Sequence, residues 1–222
     1  PKAARMMALR SKIIAAELLD VGIDANCAPL ADIASAETHP FLRNRCYGDT
    51  VEGVSSIARA VAEAYLQSGV LPVAKHLPGH GRSVNDTHLQ LPTVTSDRKT
   101  LIENDFAPFK ALADLPMAMT AHIIFAAYDA ENPATQSKAM LDVIRSEIGF
   151  AGLLMTDDLN MQALSGTLGQ RAGRSIAAGC DIALHCKGIL TEMQEVAAAA
   201  GEMTEAAKIR AVAALAQRRV VG

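Results

Sequence analysis

The sequence predicts an α/β fold of parallel βα units, of the (β/α)8 TIM-barrel type. Short apolar runs alternate with helical patterns, and the connections between them are short. Polar residues follow each apolar run at its carboxyl end, where a (β/α)8 barrel keeps its active site. An open doubly wound sheet binds ligands at a single switch point instead, so a series of polar strand ends favours the barrel.

The first predicted helix covers residues 3–21, because its apolar residues recur three or four apart and share one face. Gly22 follows where a helix-ending glycine belongs. The apolar run at 25–30 predicts a buried strand, and residues 51–68 are helical again up to Gly69.

The alternation then continues along the chain. Residues 71–76 predict a strand, residues 97–112 a helix capped by Ser96 or Asp97, and residues 116–122 the next strand. Each predicted strand is a nearly continuous apolar run, which is typical of a sheet covered on both faces. The remaining elements are a helix at 136–148, a strand at 152–156, a helix at 168–178, a strand at 181–186 and one or two Ala-rich helices.

Composition narrows the class of protein. Half of the 222 residues are hydrophobic, and no linker divides the chain, so we expect one domain over 1–222. The net charge of −3, without a long basic run, disfavours nucleic acid as a partner. No apolar stretch approaches the roughly 18 residues of a membrane span, so no membrane partner is expected. Scattered cysteines without a C-x-x-C pair indicate free thiols and a cytoplasmic protein.

The most informative segment reads Lys-His-Leu-Pro-Gly-His-Gly-Arg-Ser-Val-Asn-Asp-Thr-His, residues 75–88. Asp86 and His88 lie two apart, so both side chains project to one side of an extended segment. A carboxylate beside an imidazole fixes its tautomer, and the imidazole can exchange a proton near neutral pH. Taken alone, however, a D-x-H triplet more often belongs to a histidine that packs its own loop. The histidines do not predict a metal site, because Pro78 and Gly79 break any helix that would align them. Neither phosphate-loop pattern is present, and no cofactor is expected.

A second segment, Met-Thr-Asp-Asp-Leu-Asn-Met at 155–161, places two carboxylates at the end of an apolar strand. Adjacent residues of an extended segment point to opposite sides, so one carboxylate faces the pocket. A carboxylate there can act as a nucleophile towards an electrophilic carbon. Asp158 better fits the alternative of a helix N-cap.

These two segments, with Met-Thr-Ala-His-Ile-Ile-Phe at 119–125, resemble family 3 glycoside hydrolases, and among them the bacterial β-N-acetylhexosaminidases of cell-wall recycling. The similarity runs in order through nearly the whole chain. It implies a retaining exo-β-N-acetylglucosaminidase that releases terminal N-acetylglucosamine from peptidoglycan fragments. The roles it implies are nucleophile for Asp157, acid/base for His88, partner of that histidine for Asp86, and sugar binding for Arg45, Lys75 and His76.

One departure from the family pattern concerns the start of the chain. Family members carry a preceding segment with two strands and a further sugar-binding Asp, so we expect this chain to form an N-terminally incomplete barrel that lacks strands 1–2. If these residues were the whole polypeptide, we would expect weak or no activity. Another β-glycosidase, a glycoside phosphorylase and an inactive sugar-binding remnant stay open as alternatives. Lys75 could instead form an ion pair with Asp32 or Asp157. We expect His80 to support its loop, and His122 and His185 either to support the site residues without touching the substrate or to pack.

Overall fold

The computed structural model describes residues 2–83 and 91–218, so the predicted Asp86 and His88 lie outside the described residues. The strands are β1 (Ala25–Asn26), β2 (Leu71–Leu77), β3 (Thr93–Val94), β4 (Met117–Thr120), β5 (Ile124–Phe125) and β6 (Leu153–Met155). The helices are α1 (Lys2–Asp20), α2 (Pro40–Arg43), α3 (Val51–Ser68), α4 (Arg98–Thr100), α5 (Ala107–Lys110), α6 (Lys138–Ser146), α7 (Leu168–Ala178), α8 (Leu190–Ala200) and α9 (Glu205–Leu215).

The main sheet confirms the predicted α/β class. Its four strands run parallel in the order β1-β2-β4-β6. The predicted strand at 25–30 pairs only at its start, with one further bridge between Leu30 and Lys75. Within the described residues the sheet stays open at β1, so its own hydrogen bonding does not close a barrel.

The predicted strand at 181–186 was too long. It makes a single bridge, between Ile182 and Met155. Beyond that bridge, the Leu184 N–H donates to the Thr156 hydroxyl at 2.9 Å, and the Leu184 carbonyl accepts from the Leu159 N–H at 3.0 Å. Leu184 therefore bonds to the Thr156 side chain and to the turn after β6, and the parallel pairing with β6 does not continue.

The predicted helix at 97–112 was also wrong as one element. Asp97 does cap α4, accepting from the Thr100 N–H at 2.9 Å. A π-helical turn (Leu101–Asp105) follows, in which the Phe106 N–H bonds the Leu101 carbonyl at 2.9 Å, and α5 comes after it. Pro108 lacks the N–H that a continuous α-helix needs, which explains the interruption.

Helices α3 and α7 match their predicted bounds because local signals define them. The N-cap of α3 is Thr50, whose side chain accepts from Gly53 N–H, and Gly69 ends the helix with φ 88°. A capping box of Thr167 and Gln170 starts α7. Helix α6 starts later than predicted, after a 3₁₀ turn (Ala134–Gln136). No helix in the described ranges is long and apolar enough to cross a membrane.

Both faces of the main sheet are covered, as its apolar strands predict. Helices α3, α5 and α6 pack on one face, around Phe109 and Leu141. The other face buries Val73, Met117 and Leu153 beneath Ala211 and Ala214 of α9. This two-sided core fixes the strands in place, so their carboxyl ends form one stable edge.

Candidate active site

Four of the six predicted site residues line one cleft of about 120 Å³ at that edge. Lys75 and His76 come from β2, Asp157 follows β6, and Arg45 comes from the connection between β1 and α3. The remaining lining residues are Phe41, His80, Asp158 and Met161. Chain segments far apart in sequence therefore meet where the prediction placed the site.

His76 is held by a buried carboxylate, Asp32, whose side chain has no exposed surface. Asp32 Oδ2 accepts from His76 Nδ1 at 2.8 Å, and its two oxygens share the His76 backbone N–H at 3.3 Å. Oδ1 also accepts from the His80 backbone N–H at 2.7 Å. These bonds orient the ring so that His76 Nε2 lies 3.9 Å from Asp157 Oδ2.

Burial by itself would raise the pKa of Asp32, but the charge and hydrogen bond of His76 outweigh burial and lower it. His80 behaves oppositely, because burial and the nearby His76 lower its pKa to about 4. At neutral pH Asp32 is therefore an anion and His80 a neutral imidazole.

Asp157 combines access with an ionised state. Its side chain is 19% exposed, so a ligand in the cleft can reach it. Burial would raise its pKa, yet the charges of His76 and His122, the Asp158 N–H at 2.8 Å and the charge of Lys75 lower the pKa below its usual range. The carboxylate is thus an anion over the whole neutral range, as a nucleophile must be.

Asp158, unlike Asp157, uses its carboxylate to hold the local backbone. Its Oδ1 accepts from the backbone N–H groups of Asn160 at 3.0 Å and Cys186 at 3.3 Å. The predicted helix N-cap is wrong, because the next helix, α7, begins at Leu168. Asp158 caps a local turn instead and ties that turn to the segment after Ile182.

His122 supports the same turn through a contact with its backbone. Its Nε2 lies 3.1 Å from the Asp158 carbonyl, and its Nδ1 lies 2.8 Å from the Thr135 hydroxyl. Thr135 in turn contacts the Thr120 hydroxyl at 2.8 Å and donates to the Ala121 carbonyl at 3.0 Å. Burial lowers the pKa of His122, whose ring holds the backbone beside Asp157.

Among the described residues Lys75 forms no ion pair with Asp32 or Asp157, so the alternative considered for Lys75 is wrong. His76 rather than Lys75 occupies the Asp32 carboxylate. Lys75 lowers the pKa of Asp157 only through its charge, and its side chain remains in the cleft wall. Sequence reasoning missed the Asp32–His76 pair, because 44 residues separate the partners.

The described start of the 75–88 loop is anchored. The Arg82 Nε donates to Asp105 at 2.7 Å, and the Thr38 hydroxyl donates to the Gly81 carbonyl. Gly81 has to lack a side chain, since a Cβ there would overlap the carbonyl oxygen of Ile33.

These features define a class of site. An ionised carboxylate faces an imidazole and a lysine at the carboxyl edge of a parallel sheet, and a guanidinium lies at the rim. A carboxylate in such a site can act as a nucleophile towards an electrophilic carbon. In the described part of the chain no cluster of three His, Cys, Asp or Glu side chains is arranged to hold a metal ion.

Comparison with known proteins gives the family. Residues 3–220 match the glycosyl hydrolase family 3 N terminal domain, and the chain belongs to this family. It is 37% identical over 179 residues to a β-hexosaminidase of Alkalilimnicola ehrlichii, covering 78% of this chain and 51% of that protein. The chain thus spans about half the length of the curated relatives it matches.

Solved structures agree on the fold. A family 3 β-N-acetylglucosaminidase from Paenibacillus superposes with a TM-score of 0.86 at 31% identity, covering 96% of this chain and 43% of that one. NagZ from Neisseria gonorrhoeae, in complex with N-trifluoroacetyl-D-glucosamine, gives 0.86 at 27% identity, covering 99% and 63%. Both likenesses agree with the predicted fold and family.

Proposed function

We propose that this chain carries the catalytic centre of a retaining exo-β-N-acetylglucosaminidase, with Asp157 as the nucleophile. The observation that carries the proposal is the ionised, accessible Asp157 carboxylate in a cleft shared with Arg45, Lys75 and His76. In this reaction Asp157 attacks the anomeric carbon and forms a glycosyl ester as the glycosidic oxygen leaves. Water then cleaves the ester and restores the original anomeric configuration.

Each remaining residue has a part in this proposal. The leaving oxygen needs a proton, which we assign to His88 with Asp86 as its partner, following the family resemblance. Arg45, Lys75 and His76 donate hydrogen bonds to sugar hydroxyls. The likeness to a structure that holds N-trifluoroacetyl-D-glucosamine supports an N-acylated sugar as the ligand.

We further propose that the substrate is a peptidoglycan fragment with a terminal N-acetylglucosamine, and that the protein works in the cytoplasm. Four free cysteines fit a reducing compartment. Mass spectrometry of peptidoglycan fragments before and after incubation tests the substrate. Unchanged fragments, beside cleavage of a simple chromogenic N-acetylglucosaminide, would restrict the proposal to the sugar and exclude this aglycone.

The sugar specificity is tested by comparing cleavage of a chromogenic β-N-acetylglucosaminide with cleavage of the matching β-glucoside. We expect cleavage of the former, and cleavage of the glucoside alone would contradict the proposed specificity.

Asp157→Ala should abolish turnover with the fold intact, with Asp158→Ala as the neighbouring control. Retained turnover in Asp157→Ala would transfer the nucleophile's role elsewhere.

A second experiment tests the covalent step, because some hexosaminidases use the acetamido group of the substrate as the nucleophile. Incubation with a fluorinated N-acetylglucosaminyl fluoride should leave a glycosyl adduct on the peptide that contains Asp157. Turnover of the chromogenic substrate without any adduct, and with the nucleophile variant still active, would favour the substrate-assisted route.

A further inference from the structure

An exposed aromatic ring in the cleft has no place in the reaction described so far. Phe41 is 45% exposed, although a large apolar side chain gains by burial. Its ring lies 4.4 Å from the guanidinium carbon of Arg45, within the range of a cation–π contact. Both side chains line the cleft that contains Asp157.

The local backbone brings the ring and the guanidinium together. Residues 41 and 45 are four apart in a helical turn, so their side chains are neighbours. The turn continues past α2, because the Arg45 N–H bonds the Leu42 carbonyl at 2.9 Å. Leu42 is buried and fixes the helix, while the His39 side chain accepts from the Phe41 N–H at 3.3 Å.

Arg45 lies between two cavities. One is the cleft with Asp157, and the other is a larger cavity of about 610 Å³ between α1, β1 and α3. Arg45 and Lys75 line both, whereas Phe41 lines only the cleft. In the part of the chain that the structure describes, the Arg45 guanidinium has no hydrogen bond or ion pair, and its cation–π contact is with Phe41.

We propose that Phe41 is a positioning residue for substrate binding, whose ring holds the Arg45 guanidinium in the sugar cleft and out of the larger neighbouring cavity. The inference rests on the proposed function, in which Arg45 binds a sugar hydroxyl. A long arginine side chain loses rotamer freedom when it binds a ligand. A ring that already holds the guanidinium reduces that cost, so Phe41 acts on affinity through Arg45 and not on the chemical step.

The test measures the dissociation constant of N-acetylglucosamine in a double-mutant cycle. Phe41→Leu should weaken binding roughly two- to fivefold, the size of an exposed cation–π contact. The loss should disappear in the Arg45→Ala background. With the chromogenic substrate, KM should rise by the same factor while kcat stays unchanged. Phe41→Tyr, which keeps the ring, should restore wild-type values.

The chain supplies a matched control. Arg98 lies over the ring of Tyr128 at 4.5 Å, a similar contact whose two residues are absent from the cleft lining. Tyr128→Leu should leave sugar affinity unchanged. An equal loss from Phe41→Leu with and without Arg45 would overturn the inference, because Phe41 would then act independently of the guanidinium.

A readout without sugar separates this inference from the proposed function. The Arg45 Nε–H proton should be shifted upfield by the ring current of Phe41, with its NMR signal assigned by its absence in Arg45→Lys. The shift should vanish in Phe41→Leu and persist in Phe41→Tyr. An unchanged signal in Phe41→Leu would overturn the inference even if the sugar binds. A wild-type protein that binds no N-acetylglucosamine would contradict the proposed function, while the signal still decides the contact.

Discussion

Asp32→Asn is the substitution whose effect the structure defines most closely. The variant keeps the shape of the side chain but removes a buried negative charge that faces His76 at 2.8 Å. An amide group also places a donor NH₂ where one carboxylate oxygen now accepts, against N–H groups that already donate to Asp32 from His76 and His80. The result is a buried imidazole without its charged partner, and, depending on which way the amide faces, either the His76 Nδ1–H or the His80 backbone N–H loses its acceptor.

The expected loss follows from these contacts. Leaving a buried hydrogen-bonding group without its acceptor costs about 1–3 kcal/mol of unfolding free energy, and more when the acceptor was charged. Because Asp32 is a charged acceptor for both the His76 ring and the His80 backbone N–H, we expect the upper end, about 3 kcal/mol. For a chain of this size, that loss should lower the urea midpoint by roughly 1–1.5 M.

The assay is urea unfolding followed by circular dichroism at pH 7, with Asp24→Asn as the matched control. Asp24 forms an ion pair with Arg218 at 2.6 Å, but both side chains are well exposed. Removing an exposed pair should change the unfolding free energy by less than about 1 kcal/mol. If the two variants had the same midpoint, the reasoning about burial at Asp32 would be refuted.

The effect also has a defined pH dependence. Because the pKa of Asp32 is lowered in the folded protein, its stabilisation is complete above the unfolded value of about 3.9. It is lost as the pH falls through the lower folded value. The difference between wild type and Asp32→Asn should therefore stay constant from pH 7 to about pH 4 and shrink below that.

Two further predictions concern the nucleophile and the loop entry. The Asp157 side-chain carboxyl should titrate below its ordinary value of 3.8, measured by carbon-13 NMR, and a midpoint above that value would contradict the charges around it. Gly81→Ala should destabilise the protein by about 1–3 kcal/mol in thermal unfolding, because its methyl group would overlap the Ile33 carbonyl. Gly48→Ala is the control, since a Cβ there meets nothing closer than 4.0 Å, and equal losses in both variants would argue against the overlap.

Several elements could be predicted from the sequence because their signals are local. The bounds of α3 and α7 agree with their predicted ranges, since apolar periodicity, caps and terminal glycines all lie within the helices or beside them. The parallel α/β class followed from the alternation of apolar runs and helices. The family followed from the long motif at 75–88 and the two carboxylates at 157 and 158.

Tertiary structure decided what depends on contacts between distant segments. The Asp32–His76 pair joins residues 44 apart, and no local sequence pattern predicts which carboxylate will bond to a given histidine. The extent of the strand after Asp181 depended on Thr156 taking a backbone hydrogen bond, which its own sequence does not encode. The sequence around Phe41 does not predict a role for this residue, because its contact with Arg45 depends on the helical turn that brings the two side chains together. Local chemistry thus determined the elements and the residues able to react, whereas packing determined how each side chain is oriented and what charge it bears.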